Sequence, residues 1–278
     1  MKDSFVSVII PAFNAEKTVE SCIRSLLNQQ YPKSRYEIIV IDNGSTDNTL
    51  KILQKFRRTI RILNEGKRGS YAARNKGIKH VKGDIIAFTD SDCIADKNWL
   101  QSITNAFQNK LINLVGGNIK SFRNSSHLLR YCNKFCHSQK YNINSTVPFF
   151  TTANMAVKKE VFNMQIFNDA LHSGGDVEFC SGLIKNKDEV FYEPSAVVWH
   201  RYDDSIIRFI KKHYYYGKGQ RLLRKNLRIK LITPMPNYIN ILLQYDLYFI
   251  FFRILQDTSY LLGLHFGPYK KLTTIKNI

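Results

Sequence analysis

The sequence predicts an α/β protein whose central sheet is mostly parallel and flanked by helices. Three observations support this prediction. Short apolar runs of strand length alternate with segments of helical periodicity through the first hundred residues. These runs lack polar alternation, which is typical of strands buried on both faces of a parallel sheet. Polar side chains cluster after each run, where parallel sheets bind their ligands.

Seven elements are predicted in order, from strand to helix and back to strand. Val6–Ile10 is an apolar run that ends at Pro11, and Thr18–Leu27 has apolar residues at helical spacing. The second helix begins among Ser, Thr, Asp and Asn side chains that favour helix caps. The other predicted ranges are Glu37–Ile41 (strand), Thr46–Phe56 (helix), Ile60–Leu63 (strand), Tyr71–His80 (helix) and Asp84–Thr89 (strand). No Gly-x-Gly-x-x-Gly follows any strand, which counts against a dinucleotide site.

The remainder of the chain is less regular. Residues 128–141 resemble a helix and residues 149–157 resemble a strand. Residues 201–230 hold ten lysines or arginines against two aspartates, and an aromatic and aliphatic stretch follows over 236–266. We therefore expect a main domain over residues 1–215, with halves at 1–110 and 111–215. A basic and then apolar helical extension is predicted over 216–278.

Composition narrows the classes of protein and partner. The formal net charge of +19 points to an anionic partner, such as nucleic acid, anionic lipid or a phosphorylated substrate. Five cysteines without regular spacing do not describe a disulfide framework and favour a reducing compartment. Neither a signal-peptide layout nor an uncharged apolar run of about 18 residues occurs. We therefore expect a cytoplasmic protein.

Two carboxylates, Asp90 and Asp92, follow the fourth predicted strand, with Ser91 between them. Two anions held close together are unfavourable unless a cation offsets their charge. Hard oxygen ligands suit Mg²⁺ or Mn²⁺, and such an ion would also bind diphosphate oxygens. The alternative is a solvated acidic loop, so the motif alone does not establish a metal site, and the surrounding sequence has to decide.

Four sequence blocks supply that context. They are Val8–Asn14, Ile39–Thr49, Ala72–Ile78 and Gly83–Asp92. In order and spacing they resemble the large inverting glycosyltransferase family with the GT-A fold, often called family two. The resemblance is specific over residues 6–100, looser to about 220 and weak beyond. It implies a nucleotide-sugar-binding half over 1–110, an acceptor half over 111–215 and a C-terminal helical extension.

The resemblance also implies roles for residues of the first half. Asp42 would accept a hydrogen bond from the base, Asp90 would face the ribose and Asp92 would bind the metal. The remaining residues assigned to the nucleotide-sugar pocket are Pro11, Ala12, Asn14, Arg74, Asp84 and Ser91. Each role has a structural alternative, since Asp42 could cap the following turn and Arg74 could pair with a nearby acid, and for Asp42 the functional role is favoured.

A general base is implied in the acceptor half. Gly174–Phe179 resembles the family block in which acids precede a helix, and Asp176 aligns with the second acid. Gly175 occupies the place of the first acid, and Glu178 is the reserve candidate. Asp176 also fits a helix N-cap. One base suffices, because it removes the proton of the acceptor hydroxyl while the nucleoside diphosphate leaves.

Three further residues are assigned by resemblance. His200 follows a strand-like stretch and is either a second metal ligand or a structural histidine. Thr152 and Asn154 resemble a block that borders the acceptor pocket.

The sequence thus predicts a metal-dependent inverting glycosyltransferase of polysaccharide biosynthesis, with Mn²⁺ or Mg²⁺ as cofactor. The expected donor is a nucleotide sugar, with UDP favoured, and the acceptor is a saccharide or lipid-linked hydroxyl. The basic and apolar extension either contacts the anionic inner face of the membrane or packs on the core. The alternatives are a sugar-phosphate nucleotidyltransferase and a nucleic-acid-binding protein. The acidic residues repel nucleic acid, which is therefore not an expected partner, and no oligomeric state is predicted.

Overall fold

The computed structural model describes residues 4–135, 149–183, 189–227 and 247–266. Contacts between Cα atoms divide the chain into two compact units. The first unit comprises residues 1–169 and 175–204, and the second comprises residues 170–174 and 205–278.

One mixed sheet organises the first unit. Its strands within the described ranges are β1 (Val6–Ala12), β2 (Tyr36–Asp42), β3 (Arg61–Asn64), β4 (Ile85–Thr89), β5 (Cys93–Ala95), β6 (Leu114–Ser121), β7 (Asn154–Lys158) and β8 (Val190–His200). Their order across the sheet is β3-β2-β1-β4-β7-β6-β8-β5. Strands β3, β2, β1 and β4 are parallel neighbours, as are β6 and β8, whereas β7 is antiparallel to β4 and β6. The mostly parallel α/β sheet predicted from the sequence is confirmed.

Helices connect the strands and cover the sheet. They are α1 (Val19–Leu27), α2 (Thr49–Gln54), α3 (Ser70–Ile78), α4 (Trp99–Ala106), α5 (His127–Phe135) and α6 (Gly175–Leu183), with 3₁₀ turns at Lys33–Arg35 and Lys159–Asn163. Helix α1 buries the apolar stripe Val19, Cys22, Ile23 and Leu26, as its spacing predicts. Strands β1, β2 and β4 are apolar and almost entirely buried, so their ends have fixed positions for the loops that follow.

The seven elements predicted in the first hundred residues are all present, with ends shifted by up to three residues. Strand β1 continues through Pro11 to Ala12. The strand predicted over 149–157 is shorter, because a turn precedes Asn154, whose N–H donates to the Thr151 carbonyl at 3.1 Å. The predicted helix over 128–141 is described as far as Phe135, and its remainder lies outside the described residues.

The second unit contains helices α7 (Ile206–Leu227) and α8 (Leu247–Phe266), which pack against each other. Two glycines permit a close approach of their backbones. A Cβ on Gly217 would lie 1.9 Å from the Tyr260 carbonyl oxygen, and one on Gly263 would lie 1.9 Å from that of Tyr214. The division proposed at residue 215 stays a prediction, and α7 runs through that position. None of the helices in the described ranges is long and apolar enough to span a membrane.

Candidate active site

A cavity of about 410 Å³ opens at the carboxyl ends of β1 and β4. Parallel strands place the loops that follow them at one edge of the sheet, and ligands bind there in open α/β sheets. The cavity is lined by Pro11, Ala12, Phe13, Asn43, Arg68, Gly69, Ser70, Arg74, Asp90, Ser91 and Asp92. Six of the predicted site residues thus share one cavity: Pro11, Ala12, Arg74, Asp90, Ser91 and Asp92.

An ion pair between Arg74 and Asp90 lies at this cavity. Arg74 is 3% exposed on α3, and its Nη2 donates to Asp90 Oδ1 at 2.5 Å. Burying a guanidinium is unfavourable unless a carboxylate compensates its charge. Arg74 Nε has no hydrogen-bond partner among the described residues. The pair therefore fixes the position of the Asp90 carboxylate at the cavity.

Asp92 lies beside His200 at the meeting point of two strands. Strand β5 runs antiparallel to β8, with Cys93 opposite His200. The backbone N–H of Arg201 donates to the Asp92 carbonyl at 3.0 Å, which holds the two segments together. Asp92 Oδ2 and His200 Nε2 are 3.6 Å apart, and these atoms and Cys93 Sγ lie within 4.8 Å of one another. The structure thus brings the two predicted metal ligands together.

Asp42 and Asn14 organise neighbouring loops. Asp42 is 3% exposed at the end of β2, and both of its carboxylate oxygens lie 3.4 Å from the Ser45 backbone nitrogen. Asn14 has a positive φ of 48°, and its Oδ1 accepts from the Thr46 N–H at 2.8 Å. Asn14 therefore ties the loop after β1 to the loop after β2, and both residues stabilise the cavity edge without lining it.

Asp176 lies at the start of α6 and faces α3. Its Oδ1 accepts from the Tyr71 hydroxyl at 3.3 Å and from the Val177 N–H at 3.1 Å. Burial raises the pKa of the Asp176 carboxyl, and the positive charge of Arg74 opposes that rise. Asp176 is the second residue of α6, so it is not the N-cap of that helix, although its carboxylate accepts from an N–H of the first turn.

Glu178 lies on the same helix but contacts Asn168 instead of α3. Its Oε1 accepts from the Asn168 side chain at 3.1 Å, and burial raises the pKa of its carboxyl. Residues two apart on a helix lie on different faces. Only Asp176 of the two acids contacts the helix that carries Arg74.

Asp84 is not brought to the cavity. It precedes β4, where its N–H donates to the Phe5 carbonyl and its own carbonyl accepts from the Lys159 N–H. The cavity follows the other end of this five-residue strand, roughly 17 Å away at about 3.3 Å per residue. The sequence-based assignment placed Asp84 at the wrong end of its strand.

The two residues assigned to the acceptor pocket are both buried. Asn154 is fully buried, and its amide accepts from Trp99 Nε1 at 2.8 Å and donates to the carbonyls of Asn118 and Ala196 at 2.9 and 2.8 Å. These bonds join α4, β6, β7 and β8. Thr152 is 5% exposed in the turn before β7. The Asn154 side chain therefore has an architectural part in the sheet.

Several residues around the cavity were missed from the sequence. Asn43 is buried, and its amide holds the loop after β3 through the carbonyls of Glu65 and Lys67 and the N–H of Gly69. Arg68 in that loop lies over the Phe13 ring, 4.4 Å from its centroid. A Gly-containing basic stretch directly after a predicted strand was the available signal.

The sheet, its cavity and the acidic and basic groups at its carboxyl edge define an α/β enzyme that binds a phosphorylated ligand. The chain belongs to glycosyl transferase family 2, whose sequence model matches residues 7–164. The predicted family, the GT-A fold and the assignment as a glycosyltransferase are therefore confirmed. Asp176 and His200 lie beyond the matched residues.

Three relatives illustrate the similarity. Glycosyltransferase AglE of Haloferax volcanii is 32% identical over 222 residues, which cover 78% of this chain and 73% of the relative. A dolichyl N-acetyl-α-D-glucosaminyl phosphate 3-β-D-2,3-diacetamido-2,3-dideoxy-β-D-glucuronosyltransferase of Methanococcus voltae is 27% identical, with coverage of 84% and 78%. The solved structure of mannosyltransferase PcManGT from Pyrobaculum calidifontis, in complex with GDP-Man and Mn²⁺, has a TM-score of 0.64 at 17% identity. It matches over 96% of this chain and 76% of that one.

Proposed function

We propose that this glycosyltransferase moves a sugar from a nucleoside diphosphate, with UDP favoured, to a hydroxyl of a saccharide or lipid-linked acceptor, with inversion and with a divalent metal. The observation that supports this most strongly is the cavity that joins the Arg74–Asp90 pair to Asp92 beside His200. It combines hydrogen-bonding groups for a nucleoside with cationic and metal-binding groups for a diphosphate.

The donor would occupy the cavity with its nucleoside toward β2 and β4. Asp42 is a buried carboxylate that can accept a base N–H, and Asp90 is held by Arg74 where a ribose hydroxyl can reach it. The mannosyltransferase of the same fold binds GDP-Man, so the choice between UDP and GDP is a question for binding measurements.

Asp92 and His200 would hold the metal. Their oxygen and nitrogen atoms, 3.6 Å apart, suit a divalent ion that keeps further positions for diphosphate oxygens, and we propose Mn²⁺ or Mg²⁺. Cys93 is close but offers a soft sulfur ligand, which these ions do not prefer. When bound, the metal neutralises charge that develops on the leaving diphosphate.

Asp176 would act as the general base. Proton removal is most efficient when the pKa of the base approaches the working pH, and burial shifts the Asp176 carboxyl in that direction. The acceptor hydroxyl, as it loses its proton to the base, would attack the anomeric carbon on the face opposite the leaving group, which inverts the configuration at that carbon. Thr152, close in sequence to Asn154, stays a proposed neighbour of the acceptor.

Helix α8 would bring the enzyme to an anionic membrane surface. Its exposed apolar residues Leu247, Phe251, Ile254 and Leu262 fall on one helix face, with exposures of 47% to 79%. Residues 205–278 hold thirteen lysines or arginines and two aspartates, a balance that attracts anionic lipid. The Methanococcus voltae relative carries the name of a dolichyl-linked acceptor, which fits a reaction at such a surface.

The membrane proposal is tested by sedimentation with phosphatidylglycerol vesicles at low salt. Ile254→Ser should lower the bound fraction, because it removes apolar area that would enter the headgroup region. Met164→Ser is the matched control, since Met164 is a 78% exposed apolar residue of the first unit. Equal sedimentation of both variants and the wild type would refute the role of α8.

The donor site is tested by calorimetric titration of UDP and of GDP, each with Mn²⁺ and with EDTA. We expect binding that depends on metal and is weakened at least about tenfold by Asp92→Asn. Asp84→Asn removes the same charge from the opposite end of β4 and should bind as the wild type does. If Asp92→Asn binds UDP and GDP like the wild type in Mn²⁺, the proposed metal site is wrong.

A further inference from the structure

A buried tyrosine meets the proposed base at the start of α6. Tyr71 is 6% exposed on α3, and its hydroxyl donates to Asp176 Oδ1 at 3.3 Å. The same hydroxyl oxygen accepts from the backbone N–H groups of Gly175 at 3.0 Å and Asp176 at 3.4 Å. Three hydrogen bonds thus join one phenol to the first turn of the helix that carries the base.

From this geometry we propose that Tyr71 is a positioning residue, which orients the Asp176 carboxylate toward the acceptor hydroxyl. The first N–H groups of a helix have no partner within the helix. Here the phenol oxygen accepts from two of them, and the phenol O–H donates a hydrogen bond to the carboxylate. The position of Asp176 is therefore set by a side chain from α3 as well as by its own helix.

Gly175 is matched to this arrangement. A Cβ at residue 175 would lie 2.7 Å from the Tyr71 ring, closer than real Cβ atoms approach a neighbouring group. The absence of a side chain at residue 175 leaves room for the ring next to the helix start, where its hydroxyl reaches the backbone. The tyrosine ring therefore occupies the space that a side chain at residue 175 would need.

The Tyr71 ring is itself held in place. It stacks on Phe167 with centroids 5.7 Å apart and planes at 26°, and the Arg74 guanidinium carbon lies 5.6 Å from its centroid. Tyr71 and Arg74 are three residues apart on α3 and share a helix face. Arg74 also binds Asp90, so one short helix contacts both a cavity carboxylate and the base.

Within the described part of the chain, the charged and titratable groups that act on Asp176 are Tyr71 and Arg74 on α3 and the buried thiol of Cys180 on α6. Burial raises the pKa of the Tyr71 phenol well above its usual value, so the hydroxyl remains a donor. A hydrogen bond to a carboxylate favours its charged form. Removing the hydroxyl should therefore raise the pKa of Asp176 further.

The decisive measurement is the pKa of Asp176 in the full chain, followed by the carboxyl ¹³C signal that Asp176→Asn removes. We expect Tyr71→Phe to move this pKa upward and Tyr31→Phe to leave it unchanged. Tyr31 is the matched control, since it is equally buried and its hydroxyl donates to the Ser4 carbonyl at 2.6 Å. An unchanged Asp176 pKa in Tyr71→Phe would overturn the proposal.

Turnover gives a second readout, because the inference rests on the proposed role of Asp176. Release of UDP from UDP-glucose and UDP-N-acetylglucosamine should fall about 10- to 100-fold in Tyr71→Phe through kcat, with the donor KM unchanged. Gly175→Ala should act in the same direction by displacing the ring. If Asp176→Asn keeps wild-type turnover, the base assignment fails. If Asp176→Asn is inactive and Tyr71→Phe is fully active, only the positioning role fails.

Discussion

Replacement of Asn154 by alanine tests whether this residue is architectural or belongs to an acceptor pocket. Its buried amide satisfies the Trp99 indole N–H and the carbonyls of Asn118 and Ala196. A buried polar group left without its partner costs about 1–3 kcal/mol. Three such groups would be left in Asn154→Ala, so we expect the free energy of unfolding to fall by at least about 3 kcal/mol.

Urea unfolding followed by tryptophan fluorescence measures this loss. Both tryptophans, Trp99 and Trp199, lie in the first unit, and Trp99 is the direct partner of Asn154. Asn105→Ala is the control, because Asn105 is exposed on α4 and such a surface change alters stability by about 0.5 kcal/mol or less. A loss below about 1 kcal/mol in Asn154→Ala, together with lost transfer activity, would refute the architectural interpretation.

Three further predictions concern the base, the core and the metal site. Burial raises the pKa of Asp176 in the folded state, so the contribution of this carboxyl to stability is present at low pH and is lost as the pH rises. In urea unfolding, Asp176→Asn should therefore become more stable than the wild type from about pH 4 upward. A stability difference that does not change with pH would contradict this. Gly77→Ala should destabilise the fold by about 1–3 kcal/mol, because the new Cβ would lie 2.9 Å from the Ile9 side chain. Gly66→Ala is the control, because the space around Gly66 is open, and equal melting temperatures of the two variants would show that there is no clash. His200→Ala should weaken UDP binding in Mn²⁺ by at least about tenfold and leave binding in EDTA unchanged; equal losses in both buffers would indicate a structural histidine.

The local features of the fold were predictable from the sequence, and the long-range pairings were not. Apolar runs such as Val6–Ile10 identify buried strands because every side chain there is removed from water. The insertion of β7 between β4 and β6 depends on residues far apart in the chain, and no local pattern encodes it. For the same reason the sequence did not reveal that Asn154 completes a network across three strands and a helix.

For the site, too, local features were predictable from the sequence and long-range contacts were not. Asp90 and Asp92 were predictable because they directly follow a recognisable strand, and the structure places both at the cavity. Asp84 belongs to the same block, but the structure places it before β4, at the opposite end of that strand from the cavity. Tyr71 was predicted only as the first residue of a helix, because no local pattern indicates a contact with the distant Asp176. Its contact with Asp176 joins positions more than a hundred residues apart.

The two glycines between α7 and α8 have a consequence for how this helix pair presents its surface. Gly217 meets the backbone of Tyr260 and Leu264, while Gly263 meets that of Tyr214 and Lys218. Two reciprocal contacts without side chains determine both the axial offset and the rotation of each helix about its own axis. A shift by one residue would bring a bulky side chain to a crossing point that has no room for it. The two glycine contacts therefore set the spacing between the cations of α7 and the exposed apolar face of α8.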